Sequence, residues 1–157
     1  MSDDGAVSSR PVLVDTDVFS RVFVVEPRDD AAAAWAAALE GRTVVIAVQT
    51  AVELRVWPLL KNWGDKRTQR LLRLIESVPT IQVSQEVQDR YVALTAWTKN
   101  TGHGLQDKAN TGDRWIAATA LAHDLELAAR DGIYAGIEGL RLFTTRVSRS
   151  SIISEPE

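Results

Sequence analysis

Asp15 and Asp17 stand one residue apart at the end of the apolar run in VLVDTDVFS (12–20). Like charges that close repel, so the arrangement is costly unless something positive neutralises it. A surface turn would leave the cost to water; a metal ion would put it to use. Three more acids are candidates for the same place: Glu53 in TAVELR (50–55), Asp113 in GDRWIAATALAHD (112–124) and Asp131 in LAARDG (127–132). Carboxylate oxygens are hard ligands suited to Mg²⁺ or Mn²⁺, and Mg²⁺ keeps waters that can act on phosphates. Such an ion polarises a phosphoryl oxygen and helps make hydroxide from water; a second ion about 3.5–4 Å away stabilises the leaving oxygen.

Each acid also has a plainer role open to it. Thr50 and Glu53 form the pattern T-x-x-E, a capping box in which the glutamate returns to a backbone N–H. Asp113 at a helix start is favoured by the macrodipole. Asp131-Gly132 is a turn dipeptide. Asp15 is the hardest to dismiss, because an acid at the end of a parallel strand faces the crevice where such sheets bind ligands. The chain offers no substitute for carboxylate chemistry. It has no cysteine, and neither of its two histidines has an evident catalytic partner. His103 in GHG reads as a loop residue, and His123 complements the dipole at a helix C-terminus.

The elements that must position these acids follow from periodicity. PVLV (11–14), TVVIAV (43–48), TIQV (80–83), LELAA (125–129) and LRLFT (140–144) read as strands. Between them lie helical patterns at 29–41, 50–63, 65–78, 84–102 and 112–124, with Gly41 stopping the first, Pro58 kinking or dividing the second, and Asp65 capping the third. Alternating strands and helices imply βαβ crossovers: an α/β fold in three layers, α/β/α, with a mostly parallel five-stranded sheet covered on both faces. The four acids then all fall where crossover helices begin. The glycines of DGIYAGIEGL fit neither a dinucleotide fingerprint nor a phosphate loop, and read as turn residues.

Bulk properties agree with one domain. The chain has 157 residues, 45% of them apolar, and a formal net charge of −3. That charge argues against blanket adhesion to nucleic acid without excluding a local patch. The absence of cysteine excludes a disulfide framework and fits a reducing interior. No run approaches the roughly 18 apolar residues a membrane span needs, and the polar start MSDDGAVSSR is unlike a secretory leader. The expectation is a cytoplasmic protein with a loose leader (1–10), one domain (11–144) and a polar tail (145–157).

The same residues resemble the PIN-domain ribonucleases, most closely the toxin component of VapBC-type toxin–antitoxin pairs. LVDTDVF resembles that family's first motif and TAVELR its second, while GDRWIAATALAHDLELAARD is similar to the third and fourth combined. The resemblance spans about residues 11–144. It implies that Asp15, Glu53, Asp113 and Asp131 form an acidic metal site for Mg²⁺ or Mn²⁺. Thr16 is then free to bond a ligand or the local turn. Asp17, where the family often has Asn, adds charge at the rim or supports the site from behind. The resemblance further implies endonucleolytic cleavage of RNA, a cognate antitoxin and a homodimer.

An acidic protein that binds RNA needs local positive charge. Lys66, Arg67, Arg70 and Arg73 crowd one helix, with Lys66, Arg70 and Arg73 spaced to share a face; phosphate contact and a plain solvated surface are both open to them. Arg114 and Arg130 flank the acids and could orient substrate or hold salt bridges. Trp57, Leu59, Leu60 and Trp63 suggest either core or an antitoxin groove between the Glu53 helix and the Asp65 helix. Two rival functions remain. In a haloacid-dehalogenase-type phosphatase Asp15 would attack phosphate and Asp17 would serve as acid/base, although Val18 and Phe19 stand where that family has Gly and Thr. In a non-catalytic module the acids would only hold metal or a partner.

Overall fold

The computed structural model describes residues 10–25 and 29–145. Apart from Arg10 and Thr145, the expected leader and tail lie outside the described residues.

The chain enters the core at once: β1 (Val12–Val14) is wholly buried. It turns directly into a single α-helical turn, α1 (Thr16–Phe19), which runs on as a π-helical turn over Ser20–Val24. Asp15 starts that turn by accepting the Val18 amide at 2.9 Å, the bond a helix N-cap makes. Helix α2 (Asp30–Leu39) is capped in the same way by Asp29 on Ala32 N. Gly41, at φ 76°, then takes the left-handed conformation that ends it. Strand β2 (Val44–Ala47) feeds α3 (Val48–Leu60), α4 (Asp65–Ser77) and β3 (Thr80–Ile81). Next come α5 (Gln85–Thr101), two 3₁₀ turns (Gly104–Gln106 and Lys108–Asn110), α6 (Thr111–His123), β4 (Glu126–Ala128), a 3₁₀ turn (Gly132–Tyr134) and β5 (Leu142–Phe143).

The five strands run parallel in the order β3-β2-β1-β4-β5. Alternation along each strand divides the core in two. Val12, Val14, Ile46 and Ala128 pack with Trp35, Leu39, Leu54, Leu71 and Ile75 from α2, α3 and α4. Leu13, Val45, Ala47 and Leu127 pack with Leu94, Ile116, Ala120 and Tyr134 on the α5–α6 face. Helices therefore cover both faces, and the expected three layers are present. The first three strands step outward from β1 in one direction, whereas β4 pairs with its other side. The sheet thus has a switch point between β1 and β4, where α/β folds open a crevice at the carboxyl ends of the strands.

Several boundaries differ from the expectation. Helix α3 begins at Val48, two residues before Thr50, so Thr50 and Glu53 are not a capping box. Thr50 lies inside the helix and is completely buried. Pro58 neither kinks α3 into two elements nor divides it. The amide it lacks falls in the last turn, and the chain leaves the helix at Lys61. Gly64, not Asp65, is the N-cap of α4, and β3 keeps only two residues of TIQV. No helix among the described residues is long and apolar enough to cross a membrane.

Candidate active site

The switch point opens into a cleft of about 850 Å³ whose walls include Asp15, Thr16, Asp17, Glu53, Trp57, Asp113, Arg130 and Asp131. All four acids expected at the site therefore line one cavity, although they come from four stretches of the chain. Asp15 follows β1, Glu53 sits in the second turn of α3, Asp113 is the third residue of α6, and Asp131 follows β4. Glu53 and Asp131 are exposed and Asp113 is half-buried, whereas Asp15 is 4% exposed.

Each aspartate is tied to the fold by one oxygen. Val18 N–H donates to Asp15 Oδ1 at 2.9 Å, Tyr134 O–H to Asp113 Oδ1 at 3.0 Å, and Ile133 N–H to Asp131 Oδ1 at 3.0 Å. The second oxygen of each has no hydrogen-bond partner among the described residues. Asp15 is further aligned through its backbone, whose N–H donates to Ala128 O of the neighbouring strand.

The electrostatics are those of acids held where they do not ionise freely. Burial, followed by the nearby charges of Asp17, Asp113 and Asp131, pushes the Asp15 carboxyl up to about 7 against a downward pull from the Val18 amide. Burial also raises Asp113, partly offset by the Tyr134 hydroxyl. Tyr134 itself, 1% exposed and surrounded by these carboxylates, is pushed well above the usual phenol range and stays neutral, so it can only donate to an ionised Asp113.

Such a site calls for positive charge. Among the described residues no group of three or more His, Cys, Asp or Glu side chains is placed to hold a metal ion as the structure stands. The donor chemistry nevertheless fits a hard divalent cation. Each aspartate keeps one oxygen unengaged, and Mg²⁺ commonly takes only one or two carboxylates while retaining water. The acids that would supply those oxygens are Asp15, Glu53, Asp113 and Asp131, all on the wall of one cleft.

The remaining expectations divide. Thr16 bonds Thr50 through their hydroxyls at 3.0 Å, in the interior, so its first task is to fasten α1 to α3. Asp17 accepts Arg21 Nε at 2.9 Å and Arg130 Nε at 3.1 Å, which leaves it a rim residue. Arg114 corrects an expectation. It is 7% exposed, donates to Leu105 O at 2.7 Å and to the Tyr91 hydroxyl at 3.1 Å, and is not presented to a substrate. It pins the Tyr91–Trp115 stack that joins α5 to α6. Lys66, Arg70 and Arg73 do share a face of α4, but none of them lines the cleft. Arg67 lies over the Trp63 ring at 3.7 Å.

An apolar groove lies between α4 and the π-helical turn, lined by Phe23, Val24, Trp63, Arg67, Leu71 and Leu74. Trp57 belongs instead to the wall of the acidic cleft. Sequence reasoning missed Tyr134 and Arg21. Tyr134 sat in DGIY, read only as a turn, and its three-residue distance from Asp131 was the available signal. Arg21 stands four residues after Asp17, a helical spacing that went unused because no helix was expected there.

Comparison with known proteins agrees with the fold. Residues 12–140 match the PIN domain family. The VapC ribonuclease Y4jK of Sinorhizobium fredii is 31% identical over 126 residues, covering 76% of this chain and 86% of that protein. Among solved structures, FitAcB from Neisseria gonorrhoeae superimposes with a TM-score of 0.68 at 25% identity, covering 85% of this chain and 96% of that one. VapBC2 from Rickettsia felis, bound to a DNA fragment from its promoter, gives 0.67 at 18% identity over 85% and 98% of the two chains.

Proposed function

This chain belongs to the PIN-domain family, and on that premise we propose that it is an endoribonuclease acting as the toxin of a toxin–antitoxin pair. The observation that carries the reading is Asp15. A carboxylate 4% exposed, raised to about 7, beside Asp113 and Asp131 in a cleft, is the mark of a site built for a charged ligand.

We assign the cofactor as Mg²⁺ or Mn²⁺, which when bound polarises the scissile phosphate and acidifies a water. The chain's own residues do the rest. Ionised Asp15, steadied by Val18 N–H, turns its second oxygen to the cleft. Tyr134 O–H holds Asp113 in place and partly offsets the upward push of burial on it, and the turn at Ile133 fixes one oxygen of Asp131. Arg130 on the cleft wall offers donors to a backbone phosphate.

A phosphatase using Asp17 as acid/base is disfavoured, because both Asp17 oxygens already accept from arginines. The antitoxin is the partner implied by the family. We place its docking segment in the groove of Phe23, Trp63, Leu71 and Leu74, whose Arg67 and Arg70 suit an acidic amphipathic helix. The chain is further proposed to act in the cytoplasm as a homodimer.

The test is cleavage of labelled RNA by the wild type and by Asp15→Asn, each with Mg²⁺ or Mn²⁺ and with chelator. Cleavage by the wild type alone, abolished by chelation, is expected. Equal cleavage by both proteins would mean a contaminant, and none by either would leave a binding module.

A further inference from the structure

Asp17 lies two residues beyond the most buried acid of the site, yet its environment is cationic. Its two oxygens accept separately, Oδ1 from Arg21 Nε at 2.9 Å and Oδ2 from Arg130 Nε at 3.1 Å. Both guanidiniums approach through Nε. Their terminal nitrogens, the fork that matches phosphate geometry, are therefore left without partners among the described residues. All three side chains remain reachable, with 38% of Arg21, 40% of Asp17 and 41% of Arg130 exposed.

We propose that Asp17 is a positioning residue that holds Arg21 and Arg130 as a two-guanidinium clamp for an RNA backbone phosphate at the mouth of the acidic cleft. The inference rests on the ribonuclease reading and deepens it, joining Asp17 and Arg21 to the Arg130 contact named there. One carboxylate between two guanidiniums leaves a net positive charge on the rim, opposite in sign to the four acids within. A polyanion approaching those acids alone would be repelled; the clamp supplies local attraction beside them. Position follows from the fold. Arg130 immediately precedes Asp131, and Asp17 is separated from Asp15 only by Thr16. A phosphate seated on the clamp therefore leaves its neighbour along the strand near Asp15 and Asp131. Arg21 reaches the same carboxylate because α1 continues without a break into the π-helical turn, which puts residues 17 and 21 on one side.

The proposal predicts a sign that simple charge counting does not. Removing an acid from the rim of an RNA site should tighten binding; removing a positioning acid should weaken it. The experiment measures anisotropy of a labelled single-stranded RNA oligonucleotide across a potassium chloride series, using the full chain carrying Asp15→Asn to silence cleavage. Asp17→Ala and Arg130→Ala are each expected to weaken binding about tenfold, the loss of one charge-assisted hydrogen bond. The double variant should be little worse than either single one, since the two residues act as a unit. Arg130→Ala should also flatten the logarithmic salt slope by about 0.7, the value of one phosphate contact on a single strand. Arg130→Lys, at an exposed position that leaves the fold intact, should still fall short of Arg130 because it keeps the charge and loses the fork. In the cleaving enzyme, Asp17→Ala should raise KM and change kcat by no more than about twofold, as loss of uniform binding does.

Equal or tighter RNA binding by Asp17→Ala, or a fall confined to kcat, overturns the clamp while cleavage by the wild type leaves the ribonuclease reading standing. No binding by the Asp15→Asn protein and no cleavage by the wild type would remove both.

Discussion

The hydroxyl of Tyr134 donates to Asp113 Oδ1 at 3.0 Å, joining the 3₁₀ turn after β4 to the first turn of α6. The bond lowers the Asp113 carboxyl against the larger upward push of burial, and it does so from a residue packed into the α5–α6 core.

Tyr134→Phe removes that donor and little volume. The bond holds Asp113 down against burial, so its loss should raise Asp113 further and weaken divalent-ion binding about 10–100-fold, the usual cost of an outer-sphere partner. Isothermal titration with Mn²⁺ at pH 7 measures this, and unchanged affinity would show that Asp113 stands apart from the cation.

Asp15 should make the metal-free protein less stable as pH rises. Its folded value of about 7 lies above the ordinary 3.8, so between the two the folded chain holds a proton the unfolded chain has released. Stability therefore falls from about pH 4 to about pH 7 and stays low above it. Asp15→Asn should abolish that fall and gain on the order of 2–4 kcal/mol at pH 8 without metal. Urea denaturation in chelator at pH 5 and pH 8 reads the difference; identical pH slopes for the two proteins would contradict it.

The buried bond between Thr16 and Thr50 gives a test of the local fold. Thr50→Val should cost about 1–2 kcal/mol by stranding the Thr16 hydroxyl. Adding Thr16→Val should cost less than its effect alone, because both partners are then gone. Additive losses in thermal or urea unfolding would mean the hydroxyls do not depend on one another.

For the proposed homodimer we expect the contact on α3. Val52, Val56, Leu59 and Leu60 form an exposed apolar stripe on α3, with Leu59 80% and Leu60 73% exposed. Exposed apolar side chains at helical spacing are what a partner's apolar surface would cover. Leu59→Glu with Leu60→Glu should yield a monomer by light scattering with unfolding unchanged within about 0.5 kcal/mol, as exposed substitutions allow. A dimer that persists would move the interface elsewhere.

Much of this protein was legible along the chain because hydrophobic periodicity is a local signal. The five strands, five of the helices and the parallel three-layer sheet follow from short apolar runs alternating with helical spacing, and the four acids stood out because each ends a strand or begins a helix. Boundaries shifted at several elements: Val48 and Gln49 joined α3, which leaves Thr50 inside the helix, bonded to Thr16. What no linear pattern contained was the third dimension of the site. Arg114 and Arg130 looked alike beside their acids. Only the tertiary structure turned one inward to Leu105 and Tyr91 and left the other on the rim with Asp17. Tyr134 likewise became a partner of Asp113 only when β4 paired with β1 and carried its turn across α6. Side-chain direction, burial and the resulting pKa values depend on which elements meet, and those contacts form between residues far apart in sequence.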